Sequence, residues 1–229
     1  MSVSIVEILS GDKGFDLQNG HWIRPWAFGT SWTTIRIGAR FHFPVTSAAL
    51  LTGTPEFWFG LCNGTTNAPG VVAAASVDHA LFQRSVAASF TYASSGNMLI
   101  AASATGQIAK IVSGSLTTSN LNNSTILGSQ ATGPVTIRQQ LVVTITKGSP
   151  NYTVASQRRT TSSGADVSYA TLLAGMESAT PSSILPGTEN TTTIAVDEGT
   201  DGTLDHVFIR WNRTTVPLYV SEVLVARVA

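Results

Sequence analysis

The chain has 229 residues, 43% of them hydrophobic and only 11% charged, with 13 Lys and Arg balancing 13 Asp and Glu. Globular chains ordinarily carry about 25% charged residues, so much of this surface is neutral, and the zero net charge leaves no electrostatic footprint for nucleic acid and nothing to repel other copies of the chain. The single cysteine, Cys62, excludes an internal disulfide and a cysteine-based zinc cluster. No apolar run reaches the roughly 18 residues needed to cross a bilayer, and Met1 to Ser10 has no basic region ahead of a long apolar stretch. The expectation is a soluble product, made in the cytoplasm without a signal peptide and with no membrane partner.

From the amino terminus, Val3 to Leu9 reads as a strand, and an aromatic-dense stretch follows, with His21-Trp22, Trp26, Phe28 and Trp32 interrupted by Pro25 and Gly29. Residues 1–34 are expected to form an N-terminal arm, or a first strand plus this aromatic segment. The clearest signal is Ile35 to Phe43, where Ile35, Ile37, Ala39, Phe41 and Phe43 alternate with Arg36, Gly38, Arg40 and His42. Period two predicts a strand with one face in the core and the other in solvent. Phe57 to Cys62, Ala87 to Tyr92, Met98 to Ala104, Gln107 to Val112, Val135 to Arg138, Leu141 to Lys147 and Tyr152 to Ser156 are further strand candidates. The turn signals Thr105-Gly106 and Gly148-Ser149-Pro150 predict hairpins. Ser113 to Gly133 and Arg158 to Asp166 are polar and rich in small residues, and are expected as exposed loops or a partner-binding arm. Tyr169, Leu172, Leu173 and Met176 share helical spacing and predict one short helix before Pro181. Thr191 to Val196, Asp205 to Trp211 and Leu218 to Val228 close the chain as strands, and the nearly continuous apolar character of the last two marks them as central. Many strands, regular turns and at most one short helix predict an all-β, two-sheet antiparallel sandwich (a jelly roll), with residues 1–229 as a single domain.

Several residue groups bear on function. Gly60-Leu61-Cys62-Asn63-Gly64 has the form of a nucleophile elbow with Cys62 as nucleophile, but an elbow needs a helix next, and Thr65 to Gly70 contains Pro69 and shows no helical period. The plain reading is a strand ending in an Asn-Gly turn. Asp197, Glu198, Asp201 and Asp205 offer hard oxygen ligands among glycines, so Asp197, Asp201 and Asp205 are calcium candidates, although the spacing matches no full EF-hand loop. Solvated turn carboxylates explain them as well, and no other cofactor is expected. Trp22, Trp26, Phe28 and Trp32 are of the type that stacks on sugars or anchors an interface, the alternative being a segment that caps the core. Arg36, Arg40 and His42 could pair with carboxylates of a neighbour, the alternative being a solvated face.

The stretch Asp205-His206-Val207-Phe208-Ile209-Arg210-Trp211-Asn212-Arg213, followed by Leu218-Tyr219-Val220-Ser221-Glu222-Val223, resembles the closing strand pair of concanavalin A-like jelly rolls, as does Phe57-Trp58-Phe59-Gly60-Leu61 as an apolar strand. The resemblance implies binding or architecture more than catalysis, since that group includes lectins, laminin-G-like modules and virion domains; the acid motif typical of its glycosidase members is missing here. The neutral Thr/Ser/Ala/Gly-rich composition also resembles bacteriophage virion proteins. The leading expectation is therefore a non-enzymatic structural component of a particle, such as a bacteriophage virion, acting through contacts between copies of itself and other particle proteins. A carbohydrate-binding lectin-like module, with glycan as partner, is the alternative, and a hydrolase using Cys62 or paired carboxylates is the third.

Overall fold

The computed structural model describes residues 3–9, 15–17, 20–25, 32–45, 56–62, 84–94, 101–112, 115–125, 135–148, 151–161, 168–181, 184–185, 190–195, 204, 206–211 and 217–228. Among them are thirteen strands, β1 (Val3–Leu9), β2 (Phe15–Leu17), β3 (Gly20–Pro25), β4 (Thr34–Val45), β5 (Glu56–Cys62), β6 (Arg84–Ser94), β7 (Ala101–Val112), β8 (Ser115–Thr125), β9 (Val135–Thr146), β10 (Asn151–Thr161), β11 (Asn190–Ala195), β12 (His206–Trp211) and β13 (Leu218–Val228). One helix, α1 (Tyr169–Glu177), lies between β10 and β11. A seven-stranded sheet has the order β1-β13-β4-β9-β10-β11, with β2 pairing β13, and a six-stranded sheet has the order β3-β12-β5-β6-β7-β8. Every pairing is antiparallel. The two sheets meet along one side, where β11 lies against β8, and β2 approaches β3 across the other. This is the antiparallel sandwich that the alternating segments predict.

The inner face of the seven-stranded sheet follows from period two. Ile35, Ile37, Ala39 and Phe41 of β4 line up with Leu141, Val143 and Ile145 of β9 and with Val220, Val223 and Val225 of β13, all of them buried. In the six-stranded sheet β12 runs between β3 and β5 and buries both faces, with Val207, Phe208, Ile209, Arg210 and Trp211 all inaccessible. The continuous apolar runs of β12 and β13 thus mark central strands, as expected. They are consecutive in the chain but lie in opposite sheets, so they do not form a hydrogen-bonded closing pair.

Four sequence expectations are corrected. Thr105-Gly106 makes no hairpin: β7 runs straight through it, and the register shift between Thr105 and Gln107 places a bulge there against β8. The extra residues are on β8, between Asn120 and Ser124, while Gly106 stays in register with Phe90 of β6, so a glycine that read as a turn is here an in-register strand residue. Val135 to Arg138 and Leu141 to Lys147 are one strand, because Gln139 and Gln140 stay in register with β4. The stretch expected as a loop from Ser113 to Gly133 contains edge strand β8, and β10 continues through Arg158, Arg159, Thr160 and Thr161. The solvent face expected for β4 is covered by a helix over Arg36 and Gly38.

That helix is α1, whose side chains Leu172 and Met176 form one buried cluster with Val142, Leu224, Ala226 and Leu185. Its start is fixed by Ser168, whose Oγ accepts from the Thr171 backbone N–H at 3.2 Å, an N-cap that satisfies one of the free donors of the first turn. At its end the Ser178 N–H donates to the Ala174 carbonyl. Gly38 makes the seat possible, since a Cβ there would stand 2.6 Å from Met176 Sδ and 3.2 Å from Leu172 Cδ1.

Candidate functional site

Antiparallel register arranges the outer face of the seven-stranded sheet in rows across β9, β4 and β13: Thr144, Arg36 and Ala226; Val142, Gly38 and Leu224; Gln140, Arg40 and Glu222; Arg138, His42 and Tyr219. The first two rows lie under α1. Arg36, expected on a solvated face, is buried there; its Nη1 donates to the carbonyls of Met176 at 2.6 Å and Ser178 at 2.7 Å, and its Nε to Thr144 Oγ1 at 3.3 Å. A cation at the C-terminal end of a helix meets unsatisfied carbonyls and the negative end of the macrodipole. Burial pushes this guanidinium below its ordinary value, and its three acceptors hold it in the interior. Arg36 is thus a clamp on α1 rather than a contact for a partner.

The other two rows lie beyond the helix. Arg40 makes a two-pronged ion pair with the buried carboxylate of Glu222 through Nε and Nη2. Gln140 donates from Nε2 to the carbonyl of Ser168 and so ties the amino end of α1 to this row. In the last row the His42 and Tyr219 rings stack with centroids 5.0 Å apart and planes 19° from parallel. Tyr219 is 38% exposed and is the one exposed large hydrophobic side chain among the described residues. Half-buried Arg138 holds the position across from His42 on the far side.

A bulge creates this strip. Val220 pairs with Phe41 but Glu222 pairs with Arg40, so Ser221 is the extra residue. Side chains on a strand alternate faces, and residues three apart normally point to opposite sides; the inserted residue reverses the alternation and puts Tyr219 and Glu222 on the same outer face. His42 was legible as part of the polar face of its strand. Tyr219, Gln140 and Arg138 carried no signal of their own, because Tyr219 sits in an apolar run and the other two in a strand whose break at Gln139-Gln140 looked like a boundary.

The remaining predicted residues fall elsewhere. Trp22, on β3 opposite Ile209, is buried, with the guanidinium of exposed Arg24 5.4 Å from its ring centroid. Trp32 is also buried; its ring meets Tyr152 edge-on at 6.1 Å, and Lys147 Nζ lies 4.3 Å from its centroid. Both indoles belong to the capping of the core, the alternative weighed for this segment, and neither presents a face for stacking on sugar. Trp26 and Phe28 lie outside the described residues, as do the calcium candidates Asp197, Asp201 and Asp205. Among the described residues no group of three His, Cys, Asp or Glu side chains is placed to hold a metal, and no helix is long and apolar enough to cross a membrane. Cys62 ends β5 as a buried thiol across from His206 of β12. A nucleophile must be reached by substrate, and this one is enclosed on an antiparallel strand rather than raised on the strand-to-helix turn of an elbow.

No family model matches the sequence, and no curated protein is significantly similar to it. Similar folds occur among solved structures. A Lotus tetragonolobus seed lectin is 12% identical with a TM-score of 0.43, covering 98% of this chain and 93% of its own. Lectin I from Ulex europaeus, solved with the methyl glycoside of α-L-fucose, is 12% identical with a TM-score of 0.40, covering 99% and 92%. Basic winged bean lectin, solved with Tn-antigen, is 11% identical with a TM-score of 0.39, covering 98% and 91%. The likeness is one of fold alone.

Proposed function

We propose that this protein is a non-catalytic glycan-binding domain whose contact surface is the outer strip formed by Tyr219, His42, Arg40, Glu222 and Arg138. The observation that carries the reading is the stacked His42–Tyr219 pair, exposed on one side and bordered by the Arg40–Glu222 ion pair. A pyranose offers an apolar C–H face and a rim of hydroxyls, and an aromatic ring beside fixed donors and acceptors matches both. Arg40, held by the buried carboxylate of Glu222, offers its guanidinium in an orientation already set by the fold, which lowers the ordering cost of binding. A hydrolase using Cys62 needs a thiol that substrate can reach, and Cys62 is buried. The particle-component reading rested on the neutral composition and expected an interface at the polar loops or the aromatic N-terminal stretch, of which the described indoles, Trp22 and Trp32, are buried within the chain.

A glycan array probed with the full chain tests the proposal, followed by titration of the best ligand into wild type and Tyr219→Ala. Binding that weakens by about fivefold or more in the variant is expected, because one aromatic contact is worth about 1 kcal/mol or more and a small site has few others. The folded state should persist, since Tyr219 lies at the surface. A blank array, or equal affinity in the variant, would remove this strip as a glycan site.

A further inference from the structure

We infer that the sugar taken by this strip is anionic, bearing a carboxylate or sulfate directed toward Arg138; the inference rests on the glycan-binding reading. The charges around the His42–Tyr219 stack are unevenly placed. On one flank Arg40 is matched by Glu222, a pair that presents no net charge. On the other flank stands Arg138, and the positions paired with it are His42 on β4 and Thr161 on β10, neither of them acidic. Its same-face neighbour along β9 is Gln140, which holds the amino end of α1 at the carbonyl of Ser168. That end of a helix carries the positive pole of the macrodipole and is tied to Gln140, which stands one row, about 7 Å, along the strand from Arg138. Asp16, an acidic residue, is in register with Tyr219. It sits on β2, three strand spacings or about 14 Å from β9. The β9 side of the strip therefore carries positive charge, and a monosaccharide stacked on the aromatic pair lies beside it. An acidic substituent is favoured on the Arg138 side, where a guanidinium can hold a planar oxyanion by two hydrogen bonds.

The test titrates the full chain with three probes, methyl β-D-glucoside, methyl β-D-glucuronide and glucose 6-sulfate, at low and at high salt. Wild type should bind one or both anionic probes about tenfold more tightly than the neutral glucoside, with the advantage shrinking as salt rises. Arg138→Gln should erase the preference, bringing the anionic probes down to the affinity that the same variant shows for the neutral glucoside, whereas Arg138→Lys should retain part of the preference; two variants guard against one that misfolds, with circular dichroism as the check. Carboxylate and sulfate are separated by which anionic probe gains. Equal affinity for all three probes in wild type, or a preference that survives Arg138→Gln, overturns the anionic assignment while leaving the glycan reading in place. Failure of all three probes together with a blank glycan array overturns both.

Discussion

Arg36 and Arg40 are four residues apart on the same face of β4, yet they answer to different parts of the structure. Arg36 lies beneath α1 and spends its donors on two helix-end carbonyls and a threonine hydroxyl, whereas Arg40 lies past the helix and pairs with Glu222. Replacing Arg36 by methionine keeps the aliphatic stem but leaves the Met176 and Ser178 carbonyls without this donor. The expected loss is about 2–3 kcal/mol of unfolding free energy in urea, the range for hydrogen bonds made by a charged donor. The sign of any pH effect follows from the lowered guanidinium value. Below the folded-state value both folded and unfolded chains hold the proton, so the stability slope with pH is zero; above it the unfolded chain binds more protons and stability would rise with pH. An arginine stays protonated well into the alkaline range, so the Arg36→Met loss should be the same at pH 5 and pH 9. A loss that changes by more than about 1 kcal/mol between those values would mean that a different group is coupled to it.

Among the elements, α1 and β13 decide where the outer face is open. The helix occupies two rows because Gly38 lets Met176 and Leu172 reach the sheet. Gly38→Ala would drive a Cβ into Met176 Sδ, and overpacking of this kind costs about 1–3 kcal/mol. Thermal or urea unfolding of Gly38→Ala, Met176→Ala and the double variant forms a cycle in which the double loss should be smaller than the sum, by about 1 kcal/mol, since the two changes share one space. Strict additivity would place the helix elsewhere. On β13 the single extra residue Ser221 sets the faces of Tyr219 and Glu222. Apolar alternation made β1, β4, β5 and β13 readable at almost their full lengths. It did not reveal β8, whose sequence SLTTSNLNNST has little apolar alternation for a core to impose, so that ladder hydrogen bonding with β7 defines it.

At the scale of the molecule, antiparallel strands distant in sequence are brought side by side. Val3 pairs with Val228, and β4 pairs with both β9 and β13. Such pairings require large loops to close before their contacts form, which places folding in the slow range of milliseconds to seconds. Stopped-flow refolding followed by the fluorescence of the buried indoles Trp22, Trp32 and Trp211 should show a main phase in that range; completion within tens of microseconds would contradict the long-range sheet order. The sequence by itself determined which segments are strands with a buried face, the position of the one described helix, and a neutral exterior, because these depend on local periodicity and composition. Only the tertiary structure decided that β12 and β13 lie in different sheets, that α1 shields Arg36 and spares Arg40, and that Tyr219 emerges beside His42. Those outcomes depend on strand order, on a bulge and on one close helix approach, all of which join residues far apart in the chain.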